Sequence, residues 1–367
     1  MPIESIDSDN AQFDASTSAL AIALSATLPY SRHEMKAAAL SPDMCWDLAQ
    51  STKCTGLIRL IEPSLVDWDS TFSERLARDQ ISTLRSNLAQ LAETMECQAV
   101  LRQNGITSLA FKGVARQLQL YNRPDVRISS DIDLLVNPTD YPKACSVLAA
   151  TGYRPGVSID SRWWHHCLGE SPYLPTPPHR FVVDLHHQLQ QPGGPPPRHL
   201  AELFRRSATI DFGGGSVTTL EPLASLLVTM ISYSKAARDL SPWVVYAHEI
   251  LVARNAFSSG ELRAFLDLAA SQGLLRLAQD AFGKADLLWR SLDRMSSGEP
   301  LSPSDATIVM SALGKSRAQL FRRTVLRWSW ADGTAPRRAI RALLMALSEY
   351  RSIYIRRQEQ QATLSAG

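Results

Sequence analysis

Two aspartates one residue apart, in Ser129-Ser130-Asp131-Ile132-Asp133-Leu134-Leu135-Val136, carry the most concentrated chemistry in this 367-residue chain. Side chains alternate across a strand, so Asp131, Asp133 and Leu135 share one face while Ile132, Leu134 and Val136 share the other. Carboxylates about 7 Å apart along a strand repel at neutral pH unless positive charge lies between them, and a hard cation held by oxygen ligands supplies it. Magnesium is the economical expectation; a solvated strand end is the plainer reading of the pair taken alone. A third acid follows in Phe181-Val182-Val183-Asp184-Leu185-His186-His187. Alternation there puts Val182, Asp184 and His186 on one face and Phe181, Val183 and Leu185 in the core, which makes Asp184 a candidate for the same site.

Strands and helices must hold these acids in place. Ile81, Leu84, Leu88, Leu91 and Met95 recur at steps of three and four, which predicts a long helix with that apolar face, ending near Gly105. Ile106 to Phe111 reads as a buried strand. Lys112-Gly113 then turns the chain into a helix over Val114 to Leu120. Asp131 to Val136 is a second strand, Tyr141 to Ala150 a helix closed by Gly152, and Phe181 to Leu189 a strand after a proline-rich loop. Strands interleaved with helices make this middle third an α/β unit. Before it, a polar end over residues 1–15 precedes helices from Ser18 to Val66 that break at Pro29, Pro42 and Pro63. After it, Gln191 to Arg198 reads as a linker or surface loop, and beyond Leu220 the pattern is helical with a polar turn at Ser296 to Pro303.

Bulk properties bound the function. With 45% hydrophobic residues the chain can bury a sizeable core, and its length favours two domains. A net charge of +2 gives no global field that would require nucleic acid or an anionic surface as partner. From Lys315 to Gly367, eleven Lys or Arg face three Asp or Glu, which is either a solvated helical face or a landing surface for an acidic partner. Five scattered cysteines suggest neither disulfides nor zinc, and fit a reducing cytoplasm. The acidic, polar N-terminus is unlike a signal peptide, and no apolar run of about 18 residues suggests a membrane span.

The succession Lys112-Gly113, Tyr121, Arg127 and Asp131 to Val136 resembles the uncharacterised nucleotidyltransferases of the polymerase-β superfamily. The resemblance continues through Gly152-Tyr153 and Val183 to His186, and more faintly around Trp243 to Glu249, spanning about residues 80 to 275. It implies an α+β or α/β fold: a polymerase-β-like core with a small mixed sheet at 80–210, between helical regions at 1–79 and 211–367. It also implies a two-metal site for Mg²⁺, with Mn²⁺ as substitute, in which Asp131 and Asp133 hold both ions and Asp184 completes one. The expected reaction is attack of an acceptor on the α-phosphorus of a nucleoside triphosphate, ATP among the candidates, with pyrophosphate leaving.

By the same carry-over, the backbone at Gly113 cradles the triphosphate. The superfamily's more usual Gly-Ser is Lys-Gly here, so Lys112 either adds charge to a phosphate or points to solvent. Arg127 is a partner of phosphate or of the acidic strand, or a surface residue. Ser129 and Ser130 bond phosphate or serve the turn. His186 orients the third carboxylate or the acceptor, or is structural, and His187 faces away. Trp163, Trp164, His165 and His166 form a base-stacking platform or pack. The acceptor is open, with a small molecule or peptide favoured over RNA, and the family's company in bacterial genomes favours a tailoring step in biosynthesis. Two alternatives stand beside this reading: the same metal site acting on another phosphorylated donor such as a sugar nucleotide, and an inactive nucleotide-binding module.

Overall fold

The computed structural model describes residues 20, 23–25, 27, 42–61, 70–158, 161–189, 191–315 and 319–366. The polar end and the breaks expected at Pro29 and Pro63 lie outside the described residues, whereas α1 (Pro42–Ser51) does open at Pro42. Next come α2 (Thr55–Ile58), the long α3 (Ser70–Gln103), β1 (Ser108–Ala110), α4 (Gly113–Tyr121), β2 (Asp131–Val136) and α5 (Tyr141–Ala150). β3 (Arg154–Pro155) leads through a π-helical turn at Trp163–Leu168 to β4 (Glu170–Leu174), β5 (Val182–His186), α6 (Leu200–Arg205) and the hairpin β6 (Ser207–Phe212) and β7 (Gly215–Leu220). The seven strands form one mixed sheet in the order β3-β4-β5-β2-β1-β7-β6. Within it β2 runs parallel to β5 and antiparallel to β1.

The hairpin turns at Gly213 and Gly214, with φ of 57° and 88°, values that a tight two-residue turn demands and glycine meets without strain. Because β7 pairs with β1, the sheet extends to Leu220, past the expected core boundary at 210. Helices α7 (Pro222–Asp239), α8 (Val244–Ala256), α9 (Ser259–Ser271), α10 (Leu275–Ser297), α11 (Pro303–Ala312), α12 (Gln319–Trp330) and α13 (Ala335–Ala366) follow. Capping boxes at Ser258/Glu261 and Ser302/Asp305 fix where α9 and α11 begin. Among the described residues no helix is long and apolar enough to cross a membrane.

Each face of the sheet has its own core. Ile132, Leu134, Val136, Val183 and Leu185 pack with residues of α3 and α5, such as Leu101 and Leu148. On the other face Leu109, Leu135 and Leu220 join the larger cluster that includes α7, α8 and α10. The alternation expected of β2 is therefore realised.

The buried stripe of α3 differs from the expected one. Ile81 and Leu88 are exposed, and the buried positions include Thr83, Asn87, Gln90, Glu93, Thr94 and Gln98. The reason is backbone demand. Asn87 donates to the Pro124 and Arg127 carbonyls, Gln98 donates to the Ser108 and Thr218 carbonyls, and the Glu93 carboxylate accepts from the Arg180 and Phe181 amides. Loops and strand ends that the sheet leaves unpaired need polar partners, and α3 supplies them.

Several of the C-terminal cations are engaged within the fold. Arg323 and Arg327 converge on Glu349, Arg338 lies 4.8 Å over the Trp328 ring, and Arg356 lies 4.6 Å over Trp163. Trp163 also donates from Nε1 to Ser352 Oγ at 3.0 Å, while Glu359 accepts from its amide. Of the two readings of the Trp163 cluster, packing against α13 is the one observed for Trp163.

Candidate active site

Parallel pairing sets Asp133 of β2 directly beside Asp184 of β5, with Asp131 beside Val182. Alternation then brings Asp131, Asp133, Asp184 and His186 to one face, as the spacing predicts. Asp133 is the best compensated. Its Oδ1 lies 2.7 Å from Lys112 Nζ and 3.0 Å from His186 Nε2. Burial opposes its ionisation, but the Lys112 ammonium and the His186 hydrogen bond outweigh that and hold the carboxyl well below the usual range. Asp131 and Asp184 have weaker help, from Lys112 and Ser130 in the first case and from His186 in the second. Burial, and then the Asp133 charge, push the Asp131 carboxyl up and the Asp184 carboxyl up to about 6.

His186 has a second partner that sequence reasoning missed. Glu170 of β4 sits opposite it in the antiparallel register, with Oε2 3.1 Å from His186 Nδ1. Both ring nitrogens thus face carboxylate oxygens, and the ring stacks edge-on to Phe111 at 4.9 Å. The carboxylate that His186 meets through Nε2 is that of Asp133. His187 points the other way, its ring 4.2 Å from Tyr141, and burial followed by the neighbouring His165 lowers it to about 4.

Lys112 occupies the N-cap of α4, and burial works against its charge until the Asp133 carboxylate overcomes that and raises it. Gly113 has φ of 58°, and a Cβ there would meet Ser129 Oγ at 2.6 Å. Ser129 is itself held in place: its amide donates to Asn87 Oδ1 at 2.9 Å, and its Oγ accepts from Gln90 Nε2 at 2.8 Å. Gln90 also donates to the Asp131 carbonyl. The polar stripe of α3 therefore fixes the approach to the aspartates. Ser129 serves the turn, and Ser130 is exposed with its Oγ 3.3 Å from Asp131 Oδ1.

Arg127 and Arg116 meet at Glu249 of α8, at 3.5 Å and 3.8 Å. Burial opposes the charge of both; Glu249 overcomes this for Arg127, which is raised, whereas Arg116 stays lowered. Tyr121 OH lies 2.9 Å from His248 Nδ1, a second tie between α4 and α8. Arg116, Glu249, Glu170, Gln90 and Asn87 had no signal in spacing, because only the tertiary fold brings them to the site.

A cleft of about 850 Å³ opens over the carboxylate face, bordered by the Lys112-Gly113 turn on one side and by α7 and α8 on the other. It collects Lys112, Gly113, Arg127, Ser130 and the three aspartates; His186 lies beneath Asp133. Among the described residues, no group of three or more His, Cys, Asp or Glu is drawn close enough to form a ready metal nest. The ammonium of Lys112 sits where positive charge is needed at Asp133.

Comparison with known families places the molecule in the nucleotidyltransferase class. More narrowly, the chain belongs to the family of uncharacterised nucleotidyltransferases, whose sequence model matches residues 61–290. It is also similar to an antigenic nucleotidyltransferase-like protein from Paracoccidioides brasiliensis of solved structure, at 18% identity and a TM-score of 0.30, over 55% of this chain and 93% of that one. No curated protein sequence matches the chain.

Proposed function

We propose that this protein transfers a nucleoside monophosphate from a nucleoside triphosphate to an oxygen of a small-molecule or peptide acceptor, in a reaction that depends on Mg²⁺ or Mn²⁺. The observation that carries the reading is the pairing of Asp133 with Asp184, which lines one cleft with three carboxylates on the same face of the sheet. Their donor chemistry suits a hard cation: all are oxygen ligands, and two are raised by burial and by the charge of Asp133. Asp131 and Asp133 would hold both ions and Asp184 one of them. When bound, the ions lower the pKa of the acceptor hydroxyl and offset charge on the reacting phosphate.

The remaining roles belong to side chains and backbone of this chain. His186, fixed by Glu170, keeps Asp133 oriented. The backbone of the Gly113 turn would receive a phosphate at the start of α4, and Lys112 supplies a point charge beside it. Ser130 and Arg127 border the path of the polyphosphate. In this division of labour the sheet unit binds the donor and the C-terminal helices close the cleft over it.

The test is pyrophosphate release from each of the four nucleoside triphosphates with Mg²⁺ or Mn²⁺, with cell extract as the source of acceptor. The wild type should release it from at least one, and Asp133→Asn should lower the rate by about a hundredfold or more. Equal rates from both proteins would refute the site. Turnover of sugar nucleotides but of no triphosphate would move the donor to that class.

A further inference from the structure

Arg116 and Arg127 share a single counter-charge. Glu249 is 2% exposed and Arg116 4% exposed, and the half-buried Arg127 faces the same carboxylate, so two guanidinium groups share one counter-charge. Their hydrogen bonding is incomplete as well. Nε and Nη2 of Arg116 and Nε of Arg127 are buried with no hydrogen-bond partner, since their 3.5 Å and 3.8 Å approaches to Glu249 are ion pairs only. Nη1 of Arg116 has better company, with Ser225 Oγ at 3.1 Å. Buried charged donors left unpaired are costly and persist where something else requires them.

All three residues border the cleft that holds Lys112, Gly113 and the aspartates. One positive charge in excess, on planar forked donors that border the same cleft as the Lys112-Gly113 turn, suits a tetrahedral oxyanion. We propose that Arg116 and Arg127 form a subsite for the terminal phosphates of the donor, and that Glu249 is an internal anion which occupies this subsite until the ligand displaces it. The identity of the ligand rests on the nucleotide-donor reading above; the anion site does not.

The competing account makes the trio a strut that ties α4 to α8. The two accounts differ in sign. If Glu249 competes with the ligand, neutralising it strengthens anion binding; if the trio is only a strut, neutralising it weakens binding or leaves it unchanged.

The experiment is calorimetric titration of the metal-free, full-length protein with inorganic tripolyphosphate, with circular dichroism and thermal unfolding run on every variant. Arg116→Met and Arg127→Met should each weaken binding by about tenfold or more, and Glu249→Gln should tighten it by about threefold or more. A folded Glu249→Gln that binds no tighter than the wild type overturns the proposal. So does a folded Arg127→Met with unchanged affinity, a readout that stands even if the more buried variants do not fold. Tripolyphosphate binding with the predicted signs but no pyrophosphate release from any triphosphate would sink the donor reading alone. Release that depends on Asp133, with affinities unmoved in all three variants, would sink the subsite alone.

Discussion

Two long helices of this protein bury different surfaces: α10 an almost wholly apolar one, α3 an apolar one with a polar stripe beside it. α10 turns Leu277, Ala281, Ala285, Leu288 and Leu292 into the helical core, an apolar stripe at helical spacing. α3 turns in Asn87, Gln90, Glu93, Thr94 and Gln98, and leaves Ile81 and Leu88 in solvent. The first helix meets other helices, whose backbone groups are already satisfied internally, so only apolar area counts. The second meets strand ends and the 124–131 approach to the aspartates, where carbonyls and amides have no ladder partner, so side-chain amides are needed. A polar buried stripe thus marks the helix that serves the site, and an apolar one marks the helix that serves the core.

Substitutions should separate the two roles. Leu288→Ala, at a position 1% exposed, should cost about 3 kcal/mol in urea unfolding by opening a cavity, while the folded fraction keeps its pyrophosphate release. Asn87→Ala removes two donors and one acceptor from the loop that carries Arg127 and Ser129. It should cost less stability, about 2 kcal/mol, yet lower the release per folded molecule by about tenfold. The contrast between the helices would break if Leu288→Ala changed turnover per folded molecule, or if Asn87→Ala left it unchanged.

The same contrast explains what could be read from the residues alone. β2 and α5 occupy the expected bounds, Asp131–Val136 and Tyr141–Ala150, since strict alternation marks the strand and Pro142 and Gly152 punctuate the helix. Strand alternation also placed Asp184 and His186 on the carboxylate face. Which strands lie side by side is a tertiary fact, so the match of Asp133 with Asp184 had to be seen. β4 was hidden by Pro172 in its middle, and with it Glu170. The α3 face was misjudged because apolar spacing is the only signal a sequence offers for burial, whereas the amides of Asn87 and Gln90 are buried by the needs of a distant loop. Glu249 lies on a helix whose other buried residues, His248 apart, are apolar, and nothing local tells it from a solvated acid.

The smallest expected effect concerns pH, and it tests whether the carboxylates crowd one another as described. Asp184 is raised from an ordinary value of 3.8 to about 6, by burial and then by the charge of Asp133. An acid raised on folding binds its proton more tightly in the folded state, so the metal-free protein should lose stability as pH rises from about 4 through about 6. Because Asp184 is partly exposed, the loss should be on the order of 1 kcal/mol. Asp133 is lowered on folding and acts oppositely: its contribution is present above 3.8 and is lost as pH falls below that, which keeps its window apart from that of Asp184. Asp184→Asn should therefore reduce the slope between pH 4 and 6, leaving the part due to the raised Asp131, and leave the acid limb in place. Added Mg²⁺ should flatten the same slope in the wild type, since a cation held by Asp184 favours its ionised form. A slope as steep in Asp184→Asn as in the wild type would mean that Asp184 does not titrate there, and that burial and the Asp133 charge do not press on it.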